Sequence, residues 1–256
     1  MDTAAFESFA TDLAEAAGRI IRPLFGDPNL RVDTKSDATP VTAADRDAET
    51  RIREMIRARY PNHGIQGEEF GIENSDSEFV WVIDPIDGTK SFITACPLFG
   101  TLIALVHLGK PIVGLIHQPI IGQTCLGNGT TTTLNGKTVR IRQTANLAAA
   151  TLLSTGYVNV GIHQDRTGFD RLTSEVALAR TWGDCYGYLL VACGFADIML
   201  DPIMSDWDKL ALIPVIRGAG GHISDWQGND PVSGTSTVAA SPDLHGEVIR
   251  VLNTRK

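Results

Sequence analysis

Two aspartates three residues apart, Asp84 and Asp87, close the run Trp81-Val-Ile-Asp84-Pro-Ile-Asp87-Gly-Thr89. An apolar strand delivers both carboxylates onto a turn that Pro85 stiffens and Gly88 opens to close backbone approach. Such a pair suits a hard cation, which takes oxygen ligands. Taken alone, the segment is also compatible with an ordinary Asp-rich turn. Two further acidic segments change the balance. Gly67-Glu68-Glu69-Phe-Gly71 sets paired acids between glycines, and Ser205-Asp-Trp-Asp208 sets another at a helix start, where a capping carboxylate is the bland reading. Together they supply the oxygens a metal cluster draws from distant segments. Carboxylates packed that closely repel unless cations neutralise them.

Other chemistries lack their patterns. The chain has no G-x-x-x-x-G-K-[ST], no G-x-S-x-G and no H-E-x-x-H. Gly218-Ala-Gly-Gly221 follows a helix, so it fits a helix C-terminal turn better than a dinucleotide loop. The six histidines are scattered without ligand spacing. An aspartyl-nucleophile phosphatase of the haloacid-dehalogenase type needs its second Asp two residues on, not three.

The 256 residues carry a net charge of −8, with 43% hydrophobic and 20% charged residues, which describes a globular chain. The acidic balance excludes nucleic acid or an anionic membrane as main partner. The charge is concentrated: from Tyr60 to Thr89 there are seven acids and no Lys or Arg. No basic, apolar leader opens the chain, and the four cysteines show no C-x-x-C pairing, so a reducing cytoplasm is expected. Asn128-Gly-Thr130 reads as a turn rather than a glycosylation site.

The elements that must position these acids follow from periodicity. Phe6, Phe9, Leu13, Ala17, Ile20 and Leu24 recur at helical spacing up to a stop at Gly26-Asp-Pro28. A polar stretch, residues 33–40, leads to Thr42, an N-cap with Asp45 three residues on, opening a second helix that ends before Pro61. Strands are expected at residues 79–83, 99–107 and 112–117, the last two joined by a hairpin, and at 123–126 and 138–141 with Asn135-Gly136 between. Beyond a subdomain boundary near 143–150, strands at 151–155, 197–200 and 221–225 alternate with helices at 165–180, 185–193, 206–217 and 242–252. The expected class is α/β (α+β), a single domain over 1–256 with sheets layered between helices and subdomains of about 1–145 and 146–256.

Glu68-Glu69, Asp84-Pro-Ile-Asp-Gly-Thr89 and Trp207-Asp208 with Gly218-Ala-Gly-Gly221 resemble, in order, the signatures of the inositol monophosphatase superfamily; Val41-Thr-Ala-Ala-Asp45 is similar to another family segment. The resemblance implies a layered α-β-α-β-α fold. It also implies a phosphomonoesterase that uses two or three Mg²⁺, with Mn²⁺ as a substitute, acts on a small phosphorylated metabolite and is often a homodimer. Carried over by residue, Glu68, Asp84, the Ile86 carbonyl, Asp87 and Asp208 are metal ligands. Thr89 and Glu68 position and activate water, with Asp45 behind Thr89, and the Gly88 and Thr89 amides hold phosphate. Paired metals suit a phosphate ester, a poor electrophile with a charged leaving oxygen.

Lys90-Ser-Phe-Ile-Thr94, Pro97 to Leu105, Gly114-Leu-Ile-His-Gln-Pro119 and Gly183-Asp184-Cys185-Tyr186 are similar to the histidinol-phosphate phosphatase branch, although His117 stands where that branch has Asp. Histidinol phosphate carries an ammonium group and an imidazole, so Asp184 can pair with a cation and Asp201 or Asp206 can accept from amine or ring. An N-cap is the alternative role for Asp184, and Lys90 reads equally as a phosphate-side charge or as a solvated loop residue. Inositol-1-phosphate or other sugar phosphates are the alternative substrates. Adenosine 3′,5′-bisphosphate and fructose 1,6-bisphosphate rank lower, because a bisphosphate pocket calls for more Arg and Lys than residues 60–89 offer.

Overall fold

The computed structural model describes residues 2–35 and 39–254; residues 36–38 of the polar stretch lie outside the described residues. The first helix, Ala4–Ile21, buries Ala10, Leu13, Ala14, Ala17 and Ile21, a stripe at i, i+3, i+4, i+7 spacing. A short 3₁₀ turn through Pro23 ends it before Gly26, which takes φ +73°. The second helix, Ala43–Arg59, starts on the expected capping box: Thr42 Oγ1 accepts the Ala44 N–H at 3.1 Å, and Asp45 Oδ2 accepts the Thr42 N–H at 2.8 Å.

Both helices cover one face of an eight-stranded sheet ordered 137–138, 132–134, 123–127, 110–118, 100–107, 79–87, 64–67, 71–73. Neighbours are antiparallel except 64–67 and 79–87, which run parallel. Alternate side chains divide the faces. Trp81, Ile83, Ile103 and Leu105 pack under the two helices, while Val82, Leu102, Ala104 and Val106 face the other way. Truncating one of these buried aliphatic side chains to Ala costs about 2–5 kcal/mol.

The other face meets a middle layer of helices, Asp184–Ala192, Asp206–Lys209 and Leu212–Gly218. Beyond them lies a five-stranded sheet ordered 178–180, 151–154, 198–201, 237–240, 222–224, the first three parallel. Helices Arg166–Glu175 and Pro242–Asn253 close its far face over Phe169, Leu200, Val238 and Val248. This is the α-β-α-β-α layering that the resemblance implies. Among the described residues no helix is long and apolar enough to cross a membrane.

Several element boundaries differ from expectation. The strand from Phe79 continues to Asp87, with a register shift between Asp84 and Asp87 against its neighbour. Asp87 still pairs with Gly100 beyond the shift, so the irregularity re-aims the side chains at the strand end without ending the pairing. The helix expected over 165–180 ends at Glu175, because Leu178–Arg180 is captured as a parallel edge strand beside Thr151–Ser154. The strand expected over 138–141 is instead the hairpin of Thr132–Leu134 with Lys137–Thr138, and the Ile141 N–H turns away to the Ala219 carbonyl. The helix expected over 206–217 breaks after Lys209 and restarts at Leu212, with Pro214 in the new first turn. Asn128 is a turn, its Oδ1 accepting the Thr130 and Thr131 N–H groups.

Candidate active site

Three segments far apart in sequence bring carboxylates together. Asp84 and Asp87 arrive on the irregular end of the strand Phe79–Asp87, and Asp208 lies in the short helix Asp206–Lys209. One oxygen from each lies within 4.8 Å of the other two. Each is oriented by backbone. Asp84 Oδ1 accepts the Ile86 N–H at 2.9 Å, Asp87 Oδ2 the Cys185 N–H at 2.5 Å and Asp208 Oδ2 the Ser205 N–H at 2.7 Å. Asp208 therefore serves the capping role at the helix start and belongs to the cluster as well.

The electrostatics are adverse. Burial, followed by the charges of Glu68, Asp87 and Asp208, pushes the Asp84 carboxyl well above its ordinary range. Asp87 is raised in the same way by burial and then by Asp184 and Asp208. Burial, aided by Glu68 and Asp184, pushes Asp208 up to about 7. A group of carboxylates so placed is stable as anions only beside positive charge.

Glu68 sits next to them on the loop between strands Gly64–Gly67 and Gly71–Glu73. Lys35 Nζ donates to Glu68 Oε1 at 2.8 Å and to Glu69 Oε1 at 2.5 Å. Asp45 is fully buried, and its Oδ1 has no hydrogen-bond partner among the described residues. Asp45 and Thr89 share no direct hydrogen bond, unlike the expected link. Asp45 Oδ2 is taken by Thr42, and Thr89 Oγ1 donates to the Ile86 carbonyl at 3.1 Å. An all-oxygen donor set, mutual repulsion and an orphaned buried oxygen nearby together fit a divalent cation.

The cluster borders a cavity of about 350 Å³. Glu68, Asp87, Gly88, Thr89 and Asp208 form one side; Lys90, Ser91, Thr155, Asn159, Asp184 and Ile203 continue the wall. Asp184 is not an N-cap. It is the first residue of the helix Asp184–Ala192, behind Gly183, and takes φ +50°. Its N–H donates to Thr155 Oγ1 at 2.9 Å, and burial, against the pull of Lys90 and Ser91, pushes its carboxyl up to about 6. Asp201 also faces the cavity, but it already accepts the Thr155 N–H at 3.2 Å and the Tyr188 hydroxyl at 3.0 Å. Asp206 pairs with Lys209 at 2.8 Å and is not among the residues lining this cavity. Gly183, Cys185 and Ile86 do not line it either. Cys185 contributes its N–H to Asp87, and Gly183 lies so close to Thr155 that a Cβ there would collide.

Sequence reasoning missed Lys35, Thr155 and Asn159. A lysine in a polar stretch, a threonine just past the strand Thr151–Ser154 and an asparagine in the short helix Tyr157–His163 carry no motif, so only the folded chain reveals them.

The profile of the inositol monophosphatase family matches residues 2–256. A histidinol-phosphatase of Chlorobaculum parvum is 40% identical over 95% of this chain and 95% of its own length. A chloroplastic bifunctional phosphatase of Arabidopsis thaliana is 43% identical over 87% of this chain, which spans 65% of that longer protein. Among solved structures, an inositol monophosphatase from Zymomonas mobilis superposes with a TM-score of 0.87 at 34% identity, covering 99% of this chain and 100% of that one.

Proposed function

The chain belongs to the inositol monophosphatase family, and from that premise we propose that it is a Mg²⁺-dependent phosphomonoesterase that hydrolyses L-histidinol phosphate to L-histidinol and phosphate. The observation that carries the reaction class is the convergence of Asp84, Asp87 and Asp208 beside Glu68 at one side of a polar cavity. Glu68, Asp84, the Ile86 carbonyl, Asp87 and Asp208 would hold two or three Mg²⁺, with Mn²⁺ as substitute. Bound there, such ions would supply the charge that neutralises the phosphate, makes water nucleophilic near neutral pH and stabilises the departing alkoxide.

The chain's own groups do the rest. Gly88, at φ +88°, lets the backbone pass close to the substrate, and the Gly88 and Thr89 amides hold phosphate oxygens. The Thr89 hydroxyl proton goes to the Ile86 carbonyl, so its lone pairs remain for a proton of the attacking water. Glu68 takes up the other proton. Asp184 receives the ammonium group of histidinol, with Asp201 behind it as the second acid of that wall. The names of the relatives at 40% and 37% identity, both histidinol-phosphatases spanning 95% of this chain, support this substrate.

In this reading the step falls in histidine biosynthesis and the protein works as a homodimer, and its four free cysteines suit a reducing cytoplasm. The test is phosphate release with Mg²⁺ from histidinol phosphate, inositol-1-phosphate and adenosine 3′,5′-bisphosphate in parallel. A strong preference for the first is expected; comparable rates on the first two would sink the specific assignment and leave a broad phosphatase.

A further inference from the structure

The loop that carries Glu68 is held from beneath by a buried ion pair. Glu49 and Arg53 lie one turn apart on the helix Ala43–Arg59, Glu49 fully inaccessible and Arg53 4% exposed. Arg53 Nε donates to Glu49 Oε1 at 2.8 Å. Glu49 Oε2 accepts the Glu69 N–H at 2.8 Å, and Oε1 accepts the Phe70 N–H at 3.2 Å. The remaining amide of the loop, that of Glu68, donates to the Ile83 carbonyl at 3.2 Å. All three amides between Gly67 and Gly71, which pair across the two strands, are thus assigned, two of them to one carboxylate. Arg53 closes the other side: it donates to the Gly71 carbonyl, approaches Glu73 at 3.5 Å and lies 6.0 Å over the Phe70 ring. Gly67 has to be glycine, because a Cβ there would run into the Glu49 carboxylate.

A buried ion pair is a poor source of stability, since its desolvation offsets its attraction and an apolar pair of similar volume does as well. A pair whose free acceptors are all spent on one loop has a different use. We propose that Glu49 is a positioning residue for the cation site: through the Glu69 and Phe70 amides it sets Glu68 against Asp84, while Arg53 holds the Glu49 carboxylate in place. This rests on the reading of Glu68 and the three aspartates as cation ligands.

The experiment compares the wild type with Glu49→Gln, Gly67→Ala, their double variant and Arg142→Gln. Gln keeps the shape of Glu49 but turns an amide NH₂ toward a loop N–H. Arg142 serves as the control because it binds the buried Asp197, its Nε 2.6 Å from Oδ1, away from this loop. Mg²⁺ affinity is read by titration calorimetry on the resting protein, alongside kcat and KM. Glu49→Gln is expected to weaken Mg²⁺ binding by about tenfold or more, the usual cost of removing a group that orients a ligand. KM for the phosphate ester at saturating Mg²⁺ stays unchanged. Gly67→Ala should reproduce this, and the double variant should be no worse than either single, because both break the same contact. Glu49→Asp, too short to reach both amides, carries the same expectation should Glu49→Gln fold poorly. Arg142→Gln should melt earlier yet keep wild-type affinity. The proposal is overturned if the Glu49 variants bind Mg²⁺ as the wild type does, or if Arg142→Gln weakens binding equally. A wild type that takes up no Mg²⁺ overturns the cation reading as well.

Discussion

Asp184 Oδ2 lies 2.9 Å from the point a Cβ on Gly88 would occupy, and the Leu98 carbonyl lies 3.0 Å from it. Gly88 ends the strand that delivers Asp84 and Asp87, while Asp184 opens a helix of the middle layer. At φ +88° only glycine is comfortable, and Asp184 at φ +50° is itself uncommon for a residue with a side chain. Gly88→Ala is therefore expected to cost about 1–2 kcal/mol of stability from the left-handed backbone alone. It should lower kcat/KM more than that loss explains, because it displaces Asp184 as well. A thermal melt and a steady-state assay on the same sample check both.

Asp184→Asn keeps the shape of the cavity wall and removes one negative charge. A charge-assisted hydrogen bond contributes about 1.5–3 kcal/mol, so KM for histidinol phosphate should rise at least about tenfold. KM for inositol-1-phosphate, which bears no cation, should move little. An equal change for both substrates would leave Asp184 a structural residue.

Asp87→Asn and Asp208→Asn should abolish turnover while the fold survives, since each removes one proposed ligand. The apo protein gives a second readout. Burial and like charge disfavour the ionised cluster, so either variant should melt at or above the wild-type temperature in a chelator. The rise in melting temperature on adding Mg²⁺ should shrink or vanish in both. Wild-type activity at saturating Mg²⁺ would remove that residue from the ligand set.

His245 predicts an acid limit separate from the site. It is 7% exposed, its Nε2 lies 2.9 Å from Ser224 Oγ, and its ring centroid lies 4.2 Å from that of His222 with the two planes tilted by 50°. Burial, and then His222, push it down to about 4 from an ordinary 6.5. The folded protein thus resists a proton that the unfolded chain accepts. The stability this maintains is full above about pH 6.5 and lost progressively as pH falls toward 4, to a limit of about 3 kcal/mol. In His245→Gln the difference from wild type should be largest near neutrality and shrink on acidification. Urea melts at several pH values measure it, and a pH-independent difference would contradict it.

The clustered carboxylates were legible because Asp84-Pro-Ile-Asp87 and Trp207-Asp208 are local patterns that keep their geometry in the fold. The capping box at Thr42 and Asp45 was legible for the same reason. What the sequence hid depends on long-range pairing. The seven acids between Tyr60 and Thr89 look unaccompanied, yet Glu68 and Glu69 meet Lys35, Glu73 meets Arg53 and Arg57, and Glu78 meets His107, all from outside the stretch. The strand Thr237–Ala240 escaped notice because its small, buried residues alternate in no polar pattern, and its place is fixed by the partner Ile198–Asp201. Nothing local marks Glu49, because its partners Glu69 and Phe70 are supplied by a loop some twenty residues further along the chain.

The hydrogen bond from Cys185 to Asp87 joins a strand end of the first sheet to a helix that packs against the second. Asp208, from that same middle layer, completes the cluster. A chain emerging from the ribosome has made Asp84 and Asp87 long before either partner exists. On the proposed reading of that cluster as a cation site, tight cation uptake is thus a late event in the life of the molecule, one that follows the packing of the middle layer against the first sheet.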